Sequence, residues 1–66
     1  MDTIEIRPFG GGWQCYESEG VAPYFTEGDA KRMATDYAVA RMAGRSGEIR
    51  VLDKSGNVER ILPFTK

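Results

Sequence analysis

The chain contains no histidine, and cysteine occurs once, at Cys15. One cysteine cannot close an internal disulfide, and one cysteine without histidine cannot furnish the ligand set of a zinc site. A catalytic thiol needs a neighbour that lowers its pKa, and imidazole, the usual one, is missing. No apolar run approaches the ~20 residues of a membrane span. Residues 1–7 lack the apolar core of a signal peptide. Surplus charge is absent too: 9 basic residues stand against 10 acidic, for a net charge of -1. Tight nucleic-acid binding and polybasic membrane contact usually show a basic surplus. These absences lead us to expect a protein without catalytic, cofactor or metal residues. With a lone free thiol and no export signal, a reducing, cytoplasmic setting is expected.

What remains is ordinary for a folded domain: 41% hydrophobic and 29% charged residues. With 66 residues the chain reads as one domain, 1–66. A chain this short buries only about 60% of the surface its unfolded form exposes. Small domains often need a staple. Disulfides and zinc are ruled out, so self-association as a homodimer is the expected alternative to an unusually good core.

Residues 3–7 alternate polar and apolar, with Ile4 and Ile6 against Thr3, Glu5 and Arg7. A period of two marks a half-buried strand, and Pro8 is expected to end it. Gly10-Gly11-Gly12 supplies a turn in which positive φ costs little. Residues 13–18 alternate again, with Trp13 and Cys15 on one face and Gln14 and Tyr16 on the other, completing a hairpin. Residues 21–25 form a short third strand weakened by Pro23. Residues 48–53 and 58–64 give two more strands around the turn Lys54-Ser55-Gly56-Asn57.

Between the hairpins the spacing predicts a helix from Thr26 to about Ala43, with Gly44 as its stop. Thr26-Glu27-Gly28-Asp29 resembles a capping box with Asp in the place of Glu or Gln. At 100° per residue, Ala30, Met33, Ala34, Tyr37, Ala38 and Ala40 fall on one arc, with Arg41 in its middle. The order is β-β-(β)-α-β-β. The expected fold is α+β: an antiparallel sheet of four to five strands with one helix packed on one face. The other face is left open to water or a partner.

The string Ile4-Glu5-Ile6-Arg7-Pro8-Phe9-Gly10-Gly11-Gly12-Trp13 resembles the opening of small bacterial proteins of domain-of-unknown-function family 2188. Phe25-Thr26-Glu27-Gly28-Asp29-Ala30 resembles that family's helix start. Gly47-Glu48-Ile49-Arg50-Val51 and Asp53-Lys54-Ser55-Gly56-Asn57-Val58 resemble its closing strand and turn. The chain departs from the pattern at Asp29, where Glu is usual, and at Phe9, where a polar residue or histidine is common. The resemblance implies a fold and no activity.

Several strings imitate functional motifs. Gly10-Gly11-Gly12 is followed by a strand-like run, not the helix a phosphate cradle needs. The run from Asp53 lacks the glycine and glutamate of a calcium loop at its sixth and twelfth positions. Glu17 and Glu19 read as solvated carboxylates near a turn. Cys15 shares a face with Trp13 and reads as a core thiol.

The candidate interaction surface is Arg7, Tyr16, Arg41, Arg50 and Phe64. Arg7, Tyr16 and Arg50 are assigned to the open face together with Glu5 and Gln14. Arg41 interrupts the apolar arc, and Phe64 ends an apolar tail that either closes the core or pairs with a second chain. The expected function is a non-enzymatic protein-interaction or structural module, self-associating or binding a protein partner, with no membrane contact. The alternative is a nucleic-acid-binding accessory domain using the arginine and tyrosine side chains, disfavoured because Glu5 and Glu59 blunt the field.

Overall fold

Ile4 and Ile6 are fully buried while their neighbours on either side reach the other face, so the period-two pattern becomes a strand. The computed structural model describes residues 1–17 and 22–66. Its elements are β1 (Asp2–Phe9), β2 (Gly12–Tyr16), β3 (Tyr24–Phe25), α1 (Ala30–Met42), β4 (Gly47–Leu52) and β5 (Val58–Phe64). The α+β architecture expected from the sequence is present: a five-stranded sheet with one helix against it. No helix among the described residues is long and apolar enough to cross a membrane.

The strand order is β3-β2-β1-β4-β5. Three of the contacts are antiparallel, but β1 and β4 run parallel, with Ile4 beside Ile49 and Ile6 beside Val51. This corrects the expected all-antiparallel sheet. Each hairpin closes locally, but α1 intervenes between them and returns the chain so that β4 enters in the direction of β1. A crossover through a helix is the usual route to a parallel pair.

Pro8 does not end β1, which continues to Phe9. Pairing with β4 stops at Ile6 and Val51, so Pro8 has a strand neighbour on one side only and its missing N–H leaves no gap in that ladder. At the hairpin tip Phe9 pairs with Gly12, leaving Gly10 and Gly11 as a two-residue turn with φ of 53° and 86°. Two successive positive φ values are what a type I′ turn requires. The third strand is shorter than expected, Tyr24–Phe25, and Val21 lies outside the described residues.

The helix starts later than the capping-box reading placed it. Asp29 is its N-cap residue and makes no side-chain cap bond; residues 27–29 form a preceding turn, with Ala30 N–H donating to the Glu27 carbonyl at 2.9 Å. Gly44, at φ 77°, ends it as expected.

The buried side is also rotated from the expected arc. Ala30, Ala34, Thr35, Ala38 and Met42 face the sheet, whereas Met33, Tyr37 and Ala40 stand exposed. The Tyr37 ring lies at the flank, 6.1 Å from Phe25. Thr35 is tolerated inside because its hydroxyl donates to the Lys31 carbonyl at 2.8 Å. The core is Ile4, Ile6, Cys15, Ala34, Ala38, Met42, Ile49 and Val51, with Trp13, Phe25, Leu62 and Phe64 packed around it.

Candidate functional site: the uncovered sheet face and the helix end

Alternation sends Glu5, Arg7 and Phe9 of β1 to the face opposite α1. The register brings others beside them: Tyr16 and Arg50 flank Glu5, Gln14 flanks Arg7, Tyr24 flanks Gln14, and Ile61 flanks Arg50. Arg7, Tyr16 and Arg50 therefore share this face.

The Arg7 guanidinium lies over the Tyr16 ring at 3.9 Å and pairs with Glu5 at 2.8 Å. Its Nε is buried and finds no acceptor among the described residues, an unsatisfied donor that offsets part of what the stacking contributes. Arg50 pairs with Glu48 through its Nε, and that contact holds its pKa above the usual guanidinium value. Both arginines are thus matched by carboxylates of their own strand.

The aromatic part of this face escaped the sequence reading. Phe9 is 56% and Tyr24 42% exposed, and their rings meet edge to face at 5.6 Å. Tyr24 reaches across β2 because Gly12 has no side chain there. A Cβ on Gly12 would stand 3.2 Å from the Tyr24 ring and 2.3 Å from the Phe25 carbonyl oxygen. The Tyr24 hydroxyl then donates to the Gly10 carbonyl at 2.7 Å, tying the third strand to the hairpin tip. A glycine opposite an aromatic in a sheet is the signal that could have found this contact.

Arg41 and Phe64 do not join that face. Phe64 packs against the core with Leu62, so the apolar tail closes the core on one side while Ile61 stays 49% exposed on the other. Arg41 leaves the flank of the helix and donates from Nε to Glu17 Oε1 at 2.6 Å. The second oxygen of Glu17 accepts from Arg45 Nη2 at 2.9 Å. Arg45 Nε donates to Asp2 at 3.0 Å, and its Nη1 donates to the Arg41 carbonyl at 3.1 Å.

Glu17, expected to be solvated, is instead gripped by two guanidinium groups. The Arg45 hydrogen bond, more than that of Arg41, holds its pKa below the ordinary range. Arg45 does the same to Asp2. Glu19, its expected companion, lies outside the described residues. Arg45 was missed in the sequence; a basic residue just past the glycine at a helix end is the hint that could have found it.

Cys15 is buried between sheet and helix, and burial pushes its thiol up to about 11. Beside the N-terminal end of α1 runs a cleft of about 530 Å³ lined by Trp13, Lys31, Thr35, Val51, Glu59 and Arg60, among others. Lys31 lies 4.8 Å over the Trp13 ring and pairs with Glu59 at 2.8 Å, while Arg32 is held by Asp29 and Asp36. The cations at this cleft are therefore mostly occupied. Among known proteins the chain matches no family model, no curated protein and no solved structure.

Proposed function

We propose that this chain is a non-enzymatic protein-interaction or structural module that associates with itself. One observation carries the reading. Among the described residues the sheet has a helix on one side only, and the other side gathers Phe9, Tyr16, Tyr24 and Ile61 among arginines already balanced by Glu5 and Glu48. Aromatic and arginine side chains with little net charge are what the centres of protein interfaces use. Support for a non-catalytic role comes from Cys15, whose thiol is kept protonated at neutral pH and out of reach of solvent. We place the chain in a reducing, cytoplasmic compartment on the strength of that unpaired thiol. Kinship with domain-of-unknown-function family 2188 is part of the proposal. It rests on the string from Ile4 to Trp13, the helix start and the closing strand and turn.

Sedimentation velocity across a dilution series tests the reading. The expected result is a mass that moves from two chains toward one as the protein is diluted. A single-chain mass at every concentration would overturn it.

The Arg7–Tyr16 stack favours a second reading, a nucleic-acid accessory domain that stacks bases on this face. Its measure is binding of a single-stranded oligonucleotide at low salt, where phosphate contacts are strongest. No binding there removes it.

A further inference from the structure

The helix packs against β1, β2, β3 and β4. Between its start and β5 runs the cleft of about 530 Å³. Val51 and Trp13 give it apolar walls. Val51 belongs to the core, whereas the Trp13 ring is only partly buried. A concavity of this size, apolar in its walls and with a few polar groups converging on it, suits a small ligand.

The charged side chains decide which one. Three acids and three bases line the cleft: Asp29, Asp36 and Glu59 against Lys31, Arg32 and Arg60. They are not evenly matched in place. Lys31 reaches from the helix to β5, pairing with Glu59 at 2.8 Å and lying 4.8 Å over the Trp13 ring. Asp29 and Asp36 share Arg32, each at 3.2 Å. These two carboxylates are 71% and 66% exposed, where water and salt screen them.

Arg60 differs from the other two cations. Among the described residues it has no acidic partner. It stands opposite Val51 in the β4–β5 ladder, before the register shift at Val51/Leu52. Its side chain therefore shares the helix side of the sheet with that buried valine. A guanidinium is a planar fork that matches a carboxylate with two parallel hydrogen bonds. The Trp13 ring beside it matches a flat apolar group.

We propose that this cleft binds a small planar aromatic carboxylate. The ligand's ring takes the place of Lys31 over Trp13, and its carboxylate is held by Arg60 and by the displaced Lys31 ammonium. Opening the way costs little, because the Lys31–Glu59 pair is exposed on both sides. The site lies on the helix side of the sheet, away from the face assigned to self-association, so the two readings stand or fall separately.

Trp13 is the chain's one tryptophan, so its indole N–H gives a single signal in a proton–nitrogen correlation spectrum. The test follows that signal while the full chain is titrated at neutral pH with benzoate, with benzyl alcohol and with benzylammonium. Benzoate is expected to shift it saturably, with a Kd of about 1 mM or tighter. Benzyl alcohol, with the same ring and no charge, is expected to bind about tenfold more weakly, and benzylammonium more weakly still. Arg60→Gln, at an exposed position, is expected to keep the fold's spectrum and to weaken benzoate about tenfold. No saturable shift with benzoate overturns the site. Benzylammonium binding as tightly as benzoate overturns the ligand class. A folded Arg60→Gln variant that binds benzoate like the wild type overturns the part given to Arg60. Should that variant fail to fold, the three-ligand series on the unmodified chain still decides.

Discussion

The two sides of this sheet use similar numbers of side chains for opposite ends. Beneath α1, Ile4, Ile6, Ile49 and Val51 meet Ala34, Ala38 and Met42 with almost no exposed surface. On the other side, Glu5, Arg7, Tyr16, Glu48 and Arg50 lie flat along the strands, pairing with one another and leaving Phe9 and Ile61 half in water. Stability is concentrated on the first side, where volume is fixed to within a methylene. Recognition has no room in that packed layer and has it on the second side, where side chains can be exchanged without disturbing the packing.

That contrast can be broken most forcefully at the helix–sheet contact. Ala38→Leu adds volume where none is free, and Met42→Ala leaves a hole at the end of the same row. Met42→Ala is expected to cost about 2–5 kcal/mol and Ala38→Leu about 1–3 kcal/mol, against a total stability of roughly 3–10 kcal/mol for a chain this size. Thermal unfolding by circular dichroism should show a large fall in the midpoint or no transition at all. A midpoint unchanged for both would mean that α1 does not rest on β1 and β4 as described.

A smaller effect is expected where Tyr24 crosses Gly12. Removing the ring and its hydroxyl with Tyr24→Ala should lower the unfolding free energy by about 1–2 kcal/mol, read from denaturant titration. Amide exchange should quicken at the hairpin tip. Unchanged exchange at Gly10 and Gly11 would deny that Tyr24 fastens the turn.

The ion-pair cluster at the end of α1 sharpens the comparison through pH. Glu17 and Asp2 both have lowered folded pKa values, chiefly through hydrogen bonds from Arg45. Their contribution is therefore present above the unfolded carboxylate range near pH 4 and is lost as pH falls through the folded values. Glu17→Gln should lower stability modestly at neutral pH and change it little at low pH, so that the acid limb of the profile flattens. A profile as steep as the wild type's would show that the cluster contributes nothing measurable. The smallest change belongs to the open face: Tyr16→Ala should change the unfolding free energy by less than about 1 kcal/mol while weakening association measured by sedimentation.

The local parts of this fold were legible in the sequence because they are encoded locally. Alternation around Ile4 and Ile6, the glycines of the first turn, and Asp53, whose Oδ1 accepts from the Ser55 and Asn57 backbone N–H groups, each announce themselves within a few residues. The parallel seam between β1 and β4 does not, since nothing near Ile4 names Ile49 as its neighbour. The helix face was misplaced for a related reason. An alanine-rich helix has a weak apolar signal, so Met33 and Tyr37 outweighed Met42 and the self-satisfied Thr35 in setting the arc. Of the candidate site, Arg7, Tyr16 and Arg50 followed from strand parity alone. Phe9 and Tyr24 needed the hairpin register to meet, and Arg45 needed the helix end to be placed beside Asp2 and Glu17.

The seam has a further consequence for how the chain matures. Asp2 pairs with Gly47, so closely that a Cβ on Gly47 would fall on the Asp2 carbonyl. Of the five strands the central one comes earliest in the chain, and its parallel partner β4 follows only after the helix. Until then Ile4 and Ile6 have a neighbour on one flank alone. A nascent chain in that condition cannot settle piece by piece; its middle must wait for its end, and the domain should acquire its structure in one late, cooperative step, at the pace long-range contacts impose.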